Sequence, residues 1–591
     1  MKQQILRWGM AVVAAPLFFS SVWANDSIPS TYTQGVPVER QESFFPRPEK
    51  WQPLQASFSV QSDMLFSRTK DDTYNSWRGN SYVSATLRNN YLELGTRFEE
   101  LSAPLPGRSL IEQGRGIPHM YLTAYYGKMA EVTLGDFYDQ FGSGTIFRAY
   151  EDRNLGIDNA LRGARVAISP YKGITFKALT GQQRYNFDRT FKVFNPDRGF
   201  VSGTDLNLSA EEWFSGLRSR NMSLQLGGSF VTKQEKDADV LVSRDGKNYR
   251  LNLPEYVAAY GGRLRFGVGN FVLNGEYSYK LNDPTAENNY IYHPGSVAML
   301  SASYSKSGMS VLLQAKRSEN FNFMSQRSLL GMHLHINHLP PFTAQHTYTL
   351  AALYPYATQP AGEWAFQGEL RYKFGRKTAL GGKYGTGVRL NVSHVRGLKK
   401  NYLQGVDPSV PTSMYGTDGY TSPFFGMGGL YYSDVNVEIS KKVSSNYNFA
   451  FTYLHQIYNQ EVVEGHVENP LQADPYIYSN IFIYDGTYKL SRKASLRTEL
   501  QFLATKHAEG NWIYGLAEFS FLPNWMISVS DQYNMGTTKQ HYYMVGATYT
   551  EGSHRVMLSY GRTRAGMNCS GGVCRWMPQT KGFYISYTGN F

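Results

Sequence analysis

Nowhere after its first two dozen residues does this chain of 591 residues approach the ~20 consecutive apolar side chains that a membrane-crossing helix needs. That excludes a helical bundle in a bilayer. Cysteine is nearly missing, with only Cys569 and Cys574, too few for a disulfide-rich secreted module and without evident further ligands for a thiolate zinc centre. No repeat of 20 to 50 residues appears, which removes solenoids and propellers. No Gly-x-Ser-x-Gly elbow stands out, and no nucleic-acid-binding motif accompanies the net charge of +12.

What the chain does contain is aromatic side chains, 15% of all residues with 44 Tyr, together with 56 Gly and a polar average composition. A polar average hides a membrane protein only if apolar and polar residues alternate, as lipid-facing and lumen-facing positions do along a barrel strand. Phe366, Gly368, Leu370, Tyr372 and Phe374 interleave with Gln367, Glu369, Arg371 and Lys373. Phe271, Leu273, Gly275, Tyr277 and Tyr279 interleave with Asn274, Glu276, Ser278 and Lys280. Further alternating runs lie at 431–440, 495–503, 542–550 and 553–563. Because Arg or Lys on the lipid face near the midplane costs ~2–4 kcal/mol, the charged rows must face the lumen. The fold class is therefore all-β, a transmembrane antiparallel β-barrel of roughly 22–26 strands, each about ten residues long. A soluble β-sandwich, the plain alternative, would not have so many tyrosine-rich strands with one consistently apolar face. Gly127-Lys128, Lys441-Lys442 and Pro523-Asn524 read as short periplasmic turns, and 282–294 and 398–428 as extracellular loops.

Both ends of the chain agree with this class. Lys2 and Arg7 precede an apolar run from Met10 to Phe19, and Val22-Trp23-Ala24 suits a signal-peptidase cut, so residues 1–24 read as a signal peptide. Residues 25–55 carry Pro29, Pro37, Pro46, Pro48 and Pro53 and read as a proline-rich periplasmic lead-in, too short to be a folded plug domain. Residues 56–591 form the barrel. In the last strand Phe583, Ile585, Tyr587 and Phe591 share one face, and Tyr584, Ser586, Thr588 and Asn590 share the other. This ending resembles the C-terminal insertion signal of bacterial outer-membrane barrels, and it implies the bacterial outer membrane and the barrel-assembly machinery as a partner during insertion.

The densest charge lies between Gly135 and Arg165, with Asp136, Asp139, Arg148, Glu151, Asp152, Arg153, Asp158, Arg162 and Arg165. Opposed acids and arginines in a barrel either set a field at a constriction, pin an inward-folded loop, or form an ion-pair network that stops the wall repelling itself. The run VTLGDFYDQFGSGTIFRAYEDRNLGIDNALRGARV from Val132 to Val166, with NCSGGVCR from Asn568 to Arg575, resembles an uncharacterised family of large outer-membrane barrels of Bacteroidota. That resemblance implies fold and location and transfers no functional residue.

Cys569 and Cys574, five positions apart in an exported chain, read as a disulfide closing a small loop between the last two strands, with a zinc site or a redox-active pair as rivals. His333, His335, His338 and His346 cluster, but Leu339-Pro340-Pro341-Phe342 interrupts strand geometry, and neither a metal nor any other cofactor is assigned. No catalytic residue is assigned either, and the protein is read as a non-enzyme. The basic balance points to outer-membrane lipid and lipopolysaccharide phosphates rather than nucleic acid. The function expected is a porin-like channel or passive transporter of small solutes, because a wide barrel without a folded plug has lumen to spare. The alternative is a structural or accessory subunit of an assembly, secretion or surface-attachment complex.

Overall fold

A computed structural model describes residues 50–591 apart from 68–76, 109–111, 186–193, 196–197, 245, 331–333 and 466–473. The proposed signal peptide, most of the lead-in and His333 lie outside the described residues. Twenty-four antiparallel strands, from Gln55–Ser67 to Thr580–Asn590, follow one another around a single sheet, and the last pairs with the first. The count falls inside the expected range. Closure runs over nine residue pairs from Ser59↔Asn590 to Ser67↔Gly582, so neither terminal strand presents a free edge.

The end of the barrel that holds Gln55 and Asn590 has the tightest turns, such as 127–129, 269–270, 522–524 and 552–553. The longest connections, 138–160, 320–361 and 399–426, all lie at the opposite end. The turns and loops expected from sequence segregate accordingly, with one adjustment. Lys441-Lys442 completes the strand Met427–Lys442, and the turn is 443–446.

Side-chain direction follows the period of two. Leu300, Leu313, Leu500, Val529 and Leu558 point outward near mid-strand and are half exposed or more. Rings flank this band at both ends, with Tyr304, Phe521, Trp525 and Phe591 toward the tight turns and Phe66, Trp77, Tyr256 and Phe583 toward the long loops. An apolar belt between aromatic girdles is the surface that bilayer hydrocarbon covers. Phe583, Ile585 and Tyr587 all face outward, opposite Phe66, Met64 and Ser62 of the first strand. The Glu369, Arg371 and Lys373 row faces inward, as the cost of a charge in lipid requires.

Two substitutions test this assignment of faces. Leu500→Arg, on the belt, is expected to destabilise the refolded barrel by ~2–4 kcal/mol, whereas Ser528→Arg, on the lumen face, should change little. Guanidinium unfolding in lipid vesicles compares them, and equal effects would contradict the assigned faces.

Candidate functional site

The lumen is not empty. Residues 138–160 and the described residues of 320–361 turn back into the barrel from the long-loop end and pack on its inner wall, so the lumen expected to be spare is filled there by connecting loops. The first brings Phe141, Ile146 and Phe147 against Leu179, Val201, Val231, Val257, Ala259 and Val297, joined by Phe321 and Phe323 of the second. The second brings Phe342, Leu350, Leu353, Tyr354 and Tyr356 against Val395, Tyr432, Leu454, Tyr458, Ile477, Ile481, Leu503 and Trp512. Burying each such side chain contributes roughly 1.5–3 kcal/mol relative to leaving it in water.

Polar side chains of the wall also grip the backbone of the second segment. Lys233 Nζ donates to Met324 O (2.8 Å), Lys280 Nζ to Asn322 O (2.7 Å) and Lys316 Nζ to Pro340 O (2.6 Å). Gln456 Nε2 donates to Tyr354 O (3.1 Å), while Gln501 Oε1 accepts from Leu350 N (2.8 Å). Buried carboxylates neutralise the ammonium groups, Asp283 at 2.7 Å from Lys233 and Glu363 at 2.8 Å from Lys316. These contacts satisfy carbonyls that a loop without secondary structure would otherwise bury unpaired. The two segments are also bonded to each other, through Arg148 N to Ile336 O (2.8 Å), His338 N to Gly144 O (2.9 Å) and Asn159 Nδ2 to His335 O (2.9 Å).

Across the sector of the first strands the contacts change character. Arg97 reaches Glu151 (3.1 Å), Glu99 (2.8 Å) and Asp158. Arg184 joins Glu99 (2.8 Å) and Asp158, and Tyr138 donates to Asp158 (2.9 Å). Arg153 pairs with Glu151 (2.7 Å), donates to Gln61 Oε1 (2.8 Å) and stacks 4.3 Å over the Tyr82 ring. Burial would raise the Asp158 carboxyl, but Arg184 and Arg97 more than offset it and hold the group below the usual carboxylate range.

The remaining charged candidates are dispersed. Arg165 faces the lumen and binds Glu131 and Asp139, the latter shared with Lys177. Arg148 lies 4.2 Å over Tyr150, and Asp152 accepts from Asn154 N and Leu155 N in a local turn. Asp136 and Arg162, 2.9 Å apart, are register neighbours on the face opposite to Arg165, outside the lumen. The wall partners Arg97, Glu99 and Arg184 were not among the sequence candidates. The inward turn of 138–160 brings them to the segment, Arg97 across 54 to 61 residues of chain and Arg184 across 26, and Glu99 joins both arginines.

The cysteines form the disulfide expected, across a hairpin of Gly566–Ser570 and Val573–Met577. This hairpin covers both inward segments. Thr358 N donates to Gly572 O (2.9 Å), Arg575 donates to Leu155 O (3.1 Å), and Val573 packs on Leu155 and Ile157. The histidines go to separate partners, His335 to Glu287 (2.9 Å) and His346 to Asp434 (2.6 Å). Among the described residues no group of three or more His, Cys, Asp or Glu could hold a metal ion.

A closed 24-strand barrel with its own loops folded into the lumen is a large β-barrel resembling outer-membrane proteins. The chain belongs to the family of unknown function DUF6029, whose profile matches residues 33–591. No curated protein matches it by sequence. Among solved structures it is similar to a mutant form of the ferric enterobactin receptor PfeA from Pseudomonas aeruginosa, at 10% identity and a TM-score of 0.41, covering 91% of this chain and 80% of that one. It is also similar to the siderophore receptor PirA from the same organism, at 9% identity and 0.39, covering 92% and 81%. The P pilus usher PapC translocation pore matches at 9% identity and 0.36, covering 90% and 99%.

Acid should loosen the inward segments. Burial, then Arg148, Lys316 and His335, push the His338 imidazole down to about 3. The unfolded segment binds that proton below about 6.5, so the stability is full above that value and is lost as the pH falls toward 3, by about 2 kcal/mol at pH 5. Hydrogen exchange of residues 334–361 should therefore quicken between pH 7.5 and 5 after correction for intrinsic rates. His338→Gln should flatten that dependence, and an unchanged slope would remove His338 as its source.

Proposed function

We propose that the protein is a closed, gated conduit for small polar solutes in the bacterial outer membrane, non-enzymatic. The barrel-assembly machinery would insert it, and its basic outer rim would lie against lipopolysaccharide phosphates. The observation that carries this reading is the unequal lining of the lumen. Below the inward segments, the strands that close the barrel present Ser59, Ser84, Thr86, Ser528, Ser530, Ser559 and Ser586 to the interior. The facing wall carries charges that cancel locally, Glu369 with Arg371 (2.6 Å) and Arg389 (2.8 Å), Glu438 with Arg389 (4.0 Å), and Asp485 with Arg497 (2.9 Å). A hydrophilic wall with little net field accepts polar solutes of either sign or none.

Above the serine-lined sector the cap is the ion-paired part of 138–160 with the cysteine hairpin, rather than the apolar part of 320–361. Ion pairs released into water recover their hydration, whereas Phe, Tyr and Leu do not, so this is the side on which opening costs least. In this reading the porin-like channel or passive transporter expected from the sequence is a pore shut at rest.

Planar-bilayer recordings test the proposal. The refolded wild type should be silent or nearly so, and Asp158→Asn or Cys569→Ser with Cys574→Ser should produce resolvable conductance steps while the barrel stays folded. Folded variants that remain as silent as the wild type would sink the conduit. The weight would then shift to the platform reading, for which stable partners should co-purify from native membranes.

A further inference from the structure

The outer face of the barrel carries a row that a plain apolar belt does not need. Within the strands Met309–Glu319, Gly362–Phe374 and Thr386–Leu398, Arg317 stands opposite Trp364 and Trp364 opposite Arg396. Directly opposed residues share a face, and the sequence neighbours Lys316 and Glu363 pair inside the lumen, so Arg317, Trp364 and Arg396 point outward. On the same face toward the tight turns come Phe366 and then Leu313, Gly368 and Val392, where the belt begins. An outward arginine is costly at the bilayer midplane and close to free at its interface, so the row stands at headgroup level.

The connection 399–426 bends outward over this row. Trp364 Nε1 (3.2 Å) and Arg317 Nε (2.9 Å) both donate to Phe424 O, and Arg317 Nη2 donates to Ser422 Oγ (3.3 Å). The Arg317 guanidinium lies 5.0 Å from the centre of the Phe424 ring, and the Phe425 ring stacks on Trp364 at 6.3 Å. Trp364 is thereby covered, whereas Phe425 is 80% exposed, more than any other large apolar side chain among the described residues. Phe424 and Met427 are exposed beside it, so the turn presents one apolar tip. Its cations are unevenly matched. Arg317 pairs with Glu319 (2.7 Å), which His293 also approaches (3.1 Å) and which acts on Lys400 as well. Arg396 donates Nε to Gly428 O (2.9 Å), and Lys399 N donates to Gly426 O (3.1 Å). Both are thus tied to the base of the turn that carries Phe425, and among the described residues neither side chain pairs with a carboxylate.

We propose that this collar is a docking site for one phosphorylated glycolipid of the outer leaflet, with a headgroup phosphate held by Arg396 and Lys399 and the upper acyl chains against Phe424, Phe425 and Met427. Two observations select that occupant. The surface continues the belt that hydrocarbon covers, and its unmatched positive charge sits where a lipid phosphate would lie. A second copy docking through the same face would set cation against cation. The inference rests on the outer-membrane location in the proposed function and not on the conduit, so a barrel that never conducts leaves it standing.

Deep-rough lipopolysaccharide is the probe. The full chain, refolded in detergent, is titrated with it, and bound lipid is counted by native mass spectrometry. The wild type should hold one lipopolysaccharide tightly, and Arg396→Gln with Lys399→Gln should weaken it by about tenfold or more. Lipopolysaccharide stripped of its phosphates should bind the wild type as poorly. Lys581 shares the outward face of Phe583 in the last strand, and Lys581→Gln should change nothing. The proposal is overturned if the folded double variant binds as tightly as the wild type, or if Lys581→Gln loses as much, which would mean attraction all round the rim. Displacement by an equal concentration of phosphatidylglycerol would overturn it too, by reducing the site to any anionic lipid. A dimer or a tightly held protein that shields Phe425 would assign the collar to a protein instead. Folding is judged by heat-modifiable mobility on gels. Should the double variant not fold, Phe425→Ser, which breaks no ion pair, removes the apolar tip and should likewise weaken binding.

Discussion

Everything in this molecule depends on the pairing of its first strand with its last. In a medium that offers no hydrogen bonds, a sheet survives only if it has no edge, and the register Ser59↔Asn590 to Ser67↔Gly582 removes the edge. Phe591 continues the ladder by exchanging both backbone hydrogen bonds with Phe58. Closure also brings Asp63 within hydrogen-bond reach of Ser586, and on the same first strand Gln61 accepts from Arg153 of the inward segment. The seam of the barrel is thus also the wall against which the polar cap sits.

Closing twenty-four strands encloses more space than wall side chains can fill, and this chain fills the long-loop half with two of its own connections. That choice rewrites the wall. In Tyr476–Lys489, Tyr478, Phe482 and Tyr484 face outward while Ile477, Ile481 and Ile483 face inward, so both faces are apolar at the loop end. Lower in the same strand Asp485 and Thr487 restore the polar inner face. The boundary between the two regimes marks how deep the inward segments reach.

The alternation of Phe366 to Phe374 and of Phe583 to Phe591 made the barrel, its faces and its approximate strand number legible before any coordinates. The turns were legible as well, since Gly, Pro and Asn sit where two-residue connections require them. The filling of the lumen was not. Its signal was present as apolar residues out of phase, such as Ile481-Phe482-Ile483-Tyr484, but out-of-phase residues also fit a slipped register or a buried strand, and periodicity alone does not separate these. The charged run from Asp136 to Arg165 was visible as a run, yet Arg162 and Arg165, three positions apart in a stretch of regular register, fall on opposite faces of the sheet. Which acids meet which arginines was beyond reach, because Arg97, Glu99, Asp158 and Arg184 are brought together by the barrel.

The two kinds of contact that hold the inward segments differ in what replaces them. Apolar contacts such as Phe147 on the wall or Tyr354 on Tyr458 have no substitute in water, and their loss costs in proportion to the area exposed. Buried ion pairs stabilise far less in net terms, because the desolvation of both partners offsets most of their attraction, but removing one partner alone is severe. Arg97 and Arg184 share Asp158, so loss of that single carboxylate would take one counter-charge from two guanidiniums at once and leave them Glu99 and Glu151. The fold has therefore placed its apolar filling over one part of the wall and its ion-paired filling beside the seam.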